Sequence, residues 1–298
     1  MIDKLTFRKK NISEKDLKLL QKKSKLRMHH KNGAIYYDNK DTKDFNGGFY
    51  IHIDTKGTLK VGGSVHKFYN FLNGGKLDNY NNITMQESRE TILKILEFYG
   101  LGSVGGYLIS SFEVGANFET ERPTHWILKK LDNIGNKPFY FNPMYKNESH
   151  KTTEINKDFK RIFRVYDKLH ELKDKKRKPP PNINHLTRCE SIYRRCERLE
   201  LETFLNIEFL KEKERIFWQE MKSIKLKKFV EYTGVGVCSH SKKQTAKDIL
   251  QFGTVRALEL AKERHEKKEL TPKQYRTVRE FIRDWHDKEY YKNFKLNE

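Results

Sequence analysis

The chain has 298 residues and carries 61 Lys and Arg against 40 Asp and Glu, a formal net charge of +21. A polycation of this size calls for a polyanionic partner: nucleic acid comes first, because each neutralised phosphate releases condensed counterions, and an anionic membrane surface comes second. Hydrophobic residues make up 36% of the chain, which excludes a disordered chain and is enough to build a core in one large domain or two.

Cys189, Cys196 and Cys238 form an odd set without C-x-x-C spacing, which argues for a reducing compartment and against a disulfide framework. Met1-Ile2-Asp3-Lys4 lacks the apolar core of a signal peptide, and no stretch approaches the ~18 apolar residues of a membrane span. The expectation is a cytoplasmic protein with no membrane partner. Its 15 Tyr and 19 Phe supply rings that can fill a core or stack on exposed bases.

After a charged N-terminal stretch, Gly48 to Asp54 alternates apolar and polar residues, breaks at Thr55-Lys56-Gly57 and resumes from Thr58 to Tyr69, the pattern of a β-hairpin. Thr84-Met85-Gln86-Glu87 is a capping box. Ile92, Leu93, Ile95, Leu96 and Tyr99 follow at helical spacing, and Gly100 closes the helix. Gly106 to Phe118 reads as a strand with Leu108, Phe112, Val114, Ala116 and Phe118 on one face and Ser111, Glu113, Gly115 and Asn117 on the other.

A helix is expected near Pro123, then a strand from Asp158 to Lys168 that projects Arg164, Tyr166 and Lys168 to one side. The basic run Lys173 to Lys178 leads into Pro179-Pro180-Pro181, an exposed loop or hinge. His185 to Tyr193 reads as another strand, with Arg188 and Glu190 pointing the same way, and from about Leu199 the pattern is helical. Thr245 to His265 marks one late helical stretch, and Thr271-Pro272-Lys273-Gln274 combines an N-cap, Pro at the first position and a capping-box Gln. The expected fold class is α+β: an antiparallel-rich sheet with packed helices over residues 1–200, then a mainly helical C-terminal domain over 201–298.

No G-x-x-x-x-G-K-[ST] is present, and Gly234-Val235-Gly236 lacks the context of a dinucleotide site, so ATP hydrolysis is not expected. Glu113, Asn117, Tyr166, Lys168 and Glu190 each lie on the less apolar face of their strand, and they converge if those strands are neighbours. Carboxylates repel a phosphate backbone unless a cation stands between, and two carboxylates with an amide oxygen are hard ligands suited to Mg²⁺ or Mn²⁺. A cation there polarises a phosphodiester and favours the phenolate of a nearby tyrosine, and Tyr166, flanked by Arg164 and Lys168, fits such a nucleophile. The plainer alternative, that Glu113 and Glu190 pair with lysines and arginines across an exposed sheet face, stays open at this point.

Five ordered segments carry a resemblance: MIDK at Met1, GGSVHKFYN at Gly62–Asn70, SSFEVGANF at Ser110–Phe118, FRVYDKLHE at Phe163–Glu171 and LTRCESIYRR at Leu186–Arg195. In this order and spacing they resemble the filamentous-phage gene II-type and rolling-circle plasmid replication initiators, over roughly residues 1 to 200. The resemblance implies a metal-dependent, site-specific DNA endonuclease that nicks and rejoins one origin strand, with Tyr166 as the nicking tyrosine and Glu113 and Glu190 as acidic metal ligands. Asn117 joins the expected ligands. Lys168 is expected to stabilise phosphate charge, Glu171 to move a proton, and Arg164, Arg188, His66 and Lys67 to contact DNA.

The implied partners are origin DNA, supercoiled or single-stranded, and the helicase and polymerase of a bacterial host. The His-hydrophobic-His metal pair of many rolling-circle enzymes is missing, since His52 and His66 stand alone, and whether His66 joins the site is open. Two other readings remain: a non-catalytic origin-binding protein, and a single-strand-binding module.

Overall fold

The computed structural model describes residues 1–31, 33–39, 48–141, 148–155, 160–226, 239–283 and 295–296. The first part of the chain contains β1 (Ile2–Lys9), α1 (Glu14–Ser24), β2 (Arg27–Lys31), β3 (Ala34–Asp38), β4 (Phe49–Ile53), β5 (Leu59–Ser64), α2 (Val65–Gly74) and α3 (Met85–Tyr99). Next come β6 (Leu108–Glu119), α4 (Thr124–Lys130), β7 (Leu131–Ile134), β8 (Lys137–Pro138), β9 (Tyr140–Phe141), β10 (Glu148–Ile155), β11 (Lys160–Asp167), α5 (Lys168–Asp174) and β12 (Leu186–Arg194). The remainder is α6 (Leu201–Phe204), α7 (Ile207–Lys222), β13 (Ile224–Leu226), α8 (His240–Phe252), α9 (Thr254–Glu266), α10 (Pro272–Arg283) and β14 (Lys295–Leu296).

The fold is α+β. An antiparallel sheet runs in the order β2-β3-β4-β5-β1-β6-β12-β11-β10-β9, with β14 added beside β6, and a small sheet β13-β7-β8 stands apart from it. Neighbours far apart in sequence, such as β1 beside β6 and β6 beside β12, bring distant parts of the chain onto adjacent strands.

Local chemistry fixes the elements as expected in several places. The capping box at α3 is made: Thr84 Oγ1 accepts from the Glu87 amide at 3.1 Å, Glu87 Oε2 accepts from the Thr84 amide at 2.7 Å, and Gly100 closes the helix at φ 71°. Between β4 and β5, Asp54 Oδ1 accepts from the amides of Lys56 and Thr58, and Gly57 supplies the positive φ of the turn. Thr271 and Gln274 cap α10 reciprocally, at 2.8 and 3.2 Å.

Elsewhere the structure corrects the expected boundaries. The strand predicted to run to Tyr69 stops at Ser64, whose side chain caps α2 by accepting from the Lys67 amide, and Val65, His66 and Phe68 are buried on that helix. Ile109, not Leu108, faces the core, because an extra residue on β6 between the Thr6↔Ser111 and Phe7↔Ile109 pairs flips the alternation. Lys168 opens α5 behind the N-cap Asp167 instead of ending β11. The stretch Thr245 to His265 is two helices broken at Gly253, whose φ is 84°. Cys189 and Cys196 are free and buried, while Cys238 and the Gly234-Val235-Gly236 segment lie outside the described residues.

One face of the sheet is buried under helices. Phe49 of β4 meets Phe68 of α2 and Tyr99 of α3 at 6.0 and 6.1 Å between ring centroids, and Phe112 of β6 stacks on Tyr193 of β12 at 4.4 Å and meets Phe204 of α6 at 5.0 Å. Each such ring contributes about 1.5–3 kcal/mol by leaving water. This core extends to Phe217 and Met221 of α7, whereas Ala246, Ile249, Ala257, Ala261, Val278 and Ile282 form a second core within α8, α9 and α10. No helix among the described residues is long and apolar enough to cross a membrane.

Candidate metal and nucleophile site

The opposite face of the central strands carries the polar residues. On β6, the parity that buries Phe112, Val114 and Ala116 turns Glu113, Gly115 and Asn117 to this side. Register then aligns Gly115 with Glu190 and Asn117 with Arg188 on β12, and Glu190 with Arg164 and Arg188 with Tyr166 on β11. Gly115 is required here: a Cβ on it would stand 2.8 Å from the Cys189 carbonyl oxygen and 2.9 Å from Glu190 Cγ.

A third carboxylate arrives from β1. The pairing of β1 with β6 passes from Ile2↔Val114 to Leu5↔Phe112, three residues against two, so β1 carries a bulge at Asp3 and Lys4. Ile2 and Leu5 both stay in the core, and Asp3 reaches the carboxylate side, where Ser64 Oγ and Asn79 Nδ2 donate to its Oδ1 at 2.9 and 3.1 Å. One oxygen from each of Asp3, Glu113 and Glu190 lies within 4.8 Å of the others.

Cations surround the three acids unevenly. Arg188, 1% exposed, sets Nε 2.7 Å from Glu190 Oε1, Nη2 2.8 Å from Asp3 Oδ2 and Nη1 2.9 Å from Asn117 Oδ1. Arg164 bonds Glu190 Oε2 through both Nε, at 3.1 Å, and Nη2. Lys4, with its side chain 52% exposed, reaches Glu113 Oε2 at 2.9 Å.

These charges sort the acids. Burial pushes Glu190 up, but Arg164 and Arg188 more than offset it and hold the group at about 2. Burial pushes Asp3 up in the same way, and Arg188 and then Lys4 bring it well below the usual carboxylate range. Glu113 moves in the other direction: burial and the neighbouring Glu190 raise it, and Lys4 only partly compensates. Negative charge is therefore least balanced at Glu113, beside the most exposed of the three cations.

Tyr166 is 7% exposed and donates its hydroxyl to Glu190 Oε1 at 3.0 Å. The Arg164 guanidinium lies 4.9 Å from its ring centroid and Lys168 Nζ 6.0 Å. Burial, then the charge of Glu190, push the phenol well above its ordinary value. Lys168 is itself buried and donates to Glu171 Oε2 at 2.6 Å; burial and then Arg188 lower its pKa. Although burial opposes it, Lys168 and Lys175 draw Glu171 down to about 2, so it is a charged anchor for Lys168 at neutral pH.

No protein-family model matches this chain, and no curated protein matches it. Among solved structures it is similar to the structure of the rolling circle replication initiator protein from Geobacillus stearothermophilus, at 11% sequence identity and a TM-score of 0.40, over 79% of this chain and 89% of that one.

The expected site residues divide into three groups. Glu113, Glu190, Tyr166 and Arg164 share one face of neighbouring strands, and Lys168 and Glu171 reach the same place from α5. Asn117 is buried, accepts from Arg188 and turns its Nδ2 to the carbonyls of Asn79, Tyr80 and Asn81 at 2.9–3.0 Å, which places it as the anchor of that loop and the support of Arg188.

Arg188 and His66, expected to face DNA, are placed elsewhere. Arg188 is enclosed among acids. His66 is 3% exposed, pairs through Nε2 with Asn81 Oδ1 at 2.8 Å and is pushed by burial down to about 3, hence neutral. Lys67 is half-buried, and burial with the charges of Arg177 and Lys168 brings it to about 8, the mark of a crowded positive corner beside the acids. Asp3 was not among the expected site residues, although it lies in the MIDK segment; locally its sequence signal is an acid between the two apolar residues Ile2 and Leu5, the spacing that a bulge in β1 accommodates.

Proposed function

We propose that this chain is a rolling-circle replication initiator that nicks and rejoins one strand of its origin through a tyrosine–phosphodiester intermediate. The observation that carries the reading is the meeting of Asp3, Glu113 and Glu190 from three neighbouring strands, with the Tyr166 hydroxyl on Glu190, in a protein of net charge +21. Isolated acids repel a phosphodiester, so acids at the centre of a basic protein make chemical sense when a cation completes them.

The donor set fits Mg²⁺ or Mn²⁺: three hard carboxylates, of which Glu113 is under-compensated and paired, among the described residues, only with Lys4, a side chain exposed enough to swing away. Bound by these three acids, the ion would polarise the scissile phosphate and lower the phenol of Tyr166 from its raised value. Tyr166 Oη bonds to phosphorus as the bond from phosphorus to the 3′ oxygen breaks. The phenolic proton passes to water, since Glu190 is held ionised by Arg164 and Arg188, and the departing 3′ oxygen takes a proton from water. Lys168, held in place by Glu171, and Lys67 with Arg177 face the developing phosphate charge. The phosphodiester is exchanged, not hydrolysed, so a 3′ hydroxyl can reverse the reaction without ATP. A 3′ end left on the origin makes host helicase and polymerase the next partners.

A second reading has an observation of its own: Arg188, Arg164 and Lys4 already pair with every acid of the cluster, as in a purely structural network of a non-catalytic origin- or single-strand-binding protein. Strand scission of a supercoiled plasmid bearing the chain's own origin, with Mg²⁺, Mn²⁺ or EDTA, separates the two. On the catalytic reading Glu113→Gln loses metal-dependent scission and keeps origin affinity. Binding without scission by the wild type under either metal leaves the structural network.

A further inference from the structure

On the same open face, β2, β3 and β4 carry a continuous run of rings that the proposed chemistry does not use. His29 stacks on Tyr36 with centroids 5.0 Å apart and planes 17° apart; Tyr36 meets His52 at 5.7 Å; His52 stacks on Tyr50 at 5.9 Å and 9°. All four are half-buried.

Register gives this run a direction. Tyr36 lies two residues along β3 from Asp38, one same-face row beyond the Asp38↔His52 pair; His52 shares its row with Lys60 and Arg8; Tyr50 shares the next with Gly62 and Thr6; the row after that holds Ser64 and Lys4, and Lys4 bonds Glu113. Rows on one face are about 7 Å apart, and β4 is three strand spacings, roughly 14 Å, from β6. The rings thus descend diagonally across the sheet toward the carboxylates.

The lane between them is shallow and basic. Gly62 has no side chain to fill it, and a Cβ there would come 3.0 Å from Thr6 Oγ1. Exposed Lys60 and half-buried Arg8 border it, and Arg8 Nε and His52 Nδ1 have no hydrogen-bond partner among the described residues.

We propose that His29, Tyr36, His52 and Tyr50 form a stacking track for the unpaired bases of a single DNA strand, which Lys60, Arg8 and Lys4 lead by its phosphates to the carboxylate site. The proposal deepens the rolling-circle reading and rests on it for the nature of the strand. The chemistry favours unpaired bases over a protein partner: flat rings in series offer stacking partners to any base, and Lys60, Arg8 and Lys4 beside them are cationic, while Asp38, in the His52 row, is paired with His29 at 3.3 Å. A duplex hides its base faces and gains nothing from the rings.

The test is fluorescence anisotropy of a short labelled single strand, and of a duplex of the same sequence, with the full chain in EDTA, so that affinity is read without cleavage. Tyr50→Ala and Tyr36→Ala should each weaken the single strand roughly tenfold, leave the duplex unchanged, and be rescued by Phe at the same position. Single-strand affinity equal to wild type in both alanine variants overturns the track. So does an equal loss on single strand and duplex, which would mark the face as a general phosphate or protein surface. The nicking reading is judged separately, on supercoiled DNA with metal: a wild type that never cleaves sinks that reading and leaves a selective single-strand loss in Tyr50→Ala standing.

Discussion

Replacing Arg188 with Met tests whether the acids are held by the charges around them. Arg188 contacts Glu190 at 2.7 Å, Asp3 at 2.8 Å and Asn117 at 2.9 Å, and the side chains of both acids are at most 3% exposed. Methionine fills much of the volume and removes the charge, leaving two buried carboxylates with Arg164 and Lys4 as their remaining cations. Breaking a buried pair on one side costs about 3–5 kcal/mol, which in a domain of this size lowers the melting temperature by about 6–20 °C. An ion that binds only the folded state returns part of this, about 2.7 kcal/mol at a hundredfold excess over its dissociation constant. Urea unfolding in EDTA and in Mn²⁺ is the assay. The variant should be strongly destabilised in EDTA and should recover more with Mn²⁺ than the wild type gains, because Arg188 no longer competes for Asp3 and Glu190. Stability within about 1 kcal/mol of wild type in EDTA would refute this account of the cluster.

Three further outcomes follow from the same contacts. His66, depressed to about 3 from an unfolded value of 6.5, stays neutral in the fold while its unfolded form protonates, so its contribution is lost as pH falls below 6.5: about 2 kcal/mol by pH 5, measurable by urea titration and absent in His66→Gln. Thr84→Ala removes the α3 cap and should cost about 1 kcal/mol in the same assay. Asn117→Ala frees the carbonyls of Asn79, Tyr80 and Asn81 and should cost about 2–3 kcal/mol, with hydrogen exchange accelerating first in residues 79–82; protection there equal to wild type would contradict the anchoring role.

Much of the site was legible in the residues because β-strand parity is rigid. Glu113 against Phe112 and Val114, and Glu190 two residues after Arg188, fixed which side chains share a face once the strands were known to be neighbours. Asp3 was not legible, since a bulge changes the count by one and leaves no composition signal. Arg188 misled for a related reason: an arginine reads as a surface group, and only the pairing of β12 between β6 and β11 encloses it. At α2, GGSVHKFY alternates well enough to read as strand, and the cap formed by Ser64 decides for helix. The ring track was equally hidden, because His29, Tyr36, His52 and Tyr50 belong to three strands, two of them in a stretch whose charge masks its alternation.

The most direct measurement is to incubate wild type and Tyr166→Phe with supercoiled origin DNA and Mg²⁺ or Mn²⁺ and to look for a covalent protein–DNA adduct on a denaturing gel. Wild type should give an adduct and relaxed plasmid, with neither in EDTA and neither with Tyr166→Phe, which still binds the origin. An adduct that persists in Tyr166→Phe would contradict Tyr166 as the nucleophile.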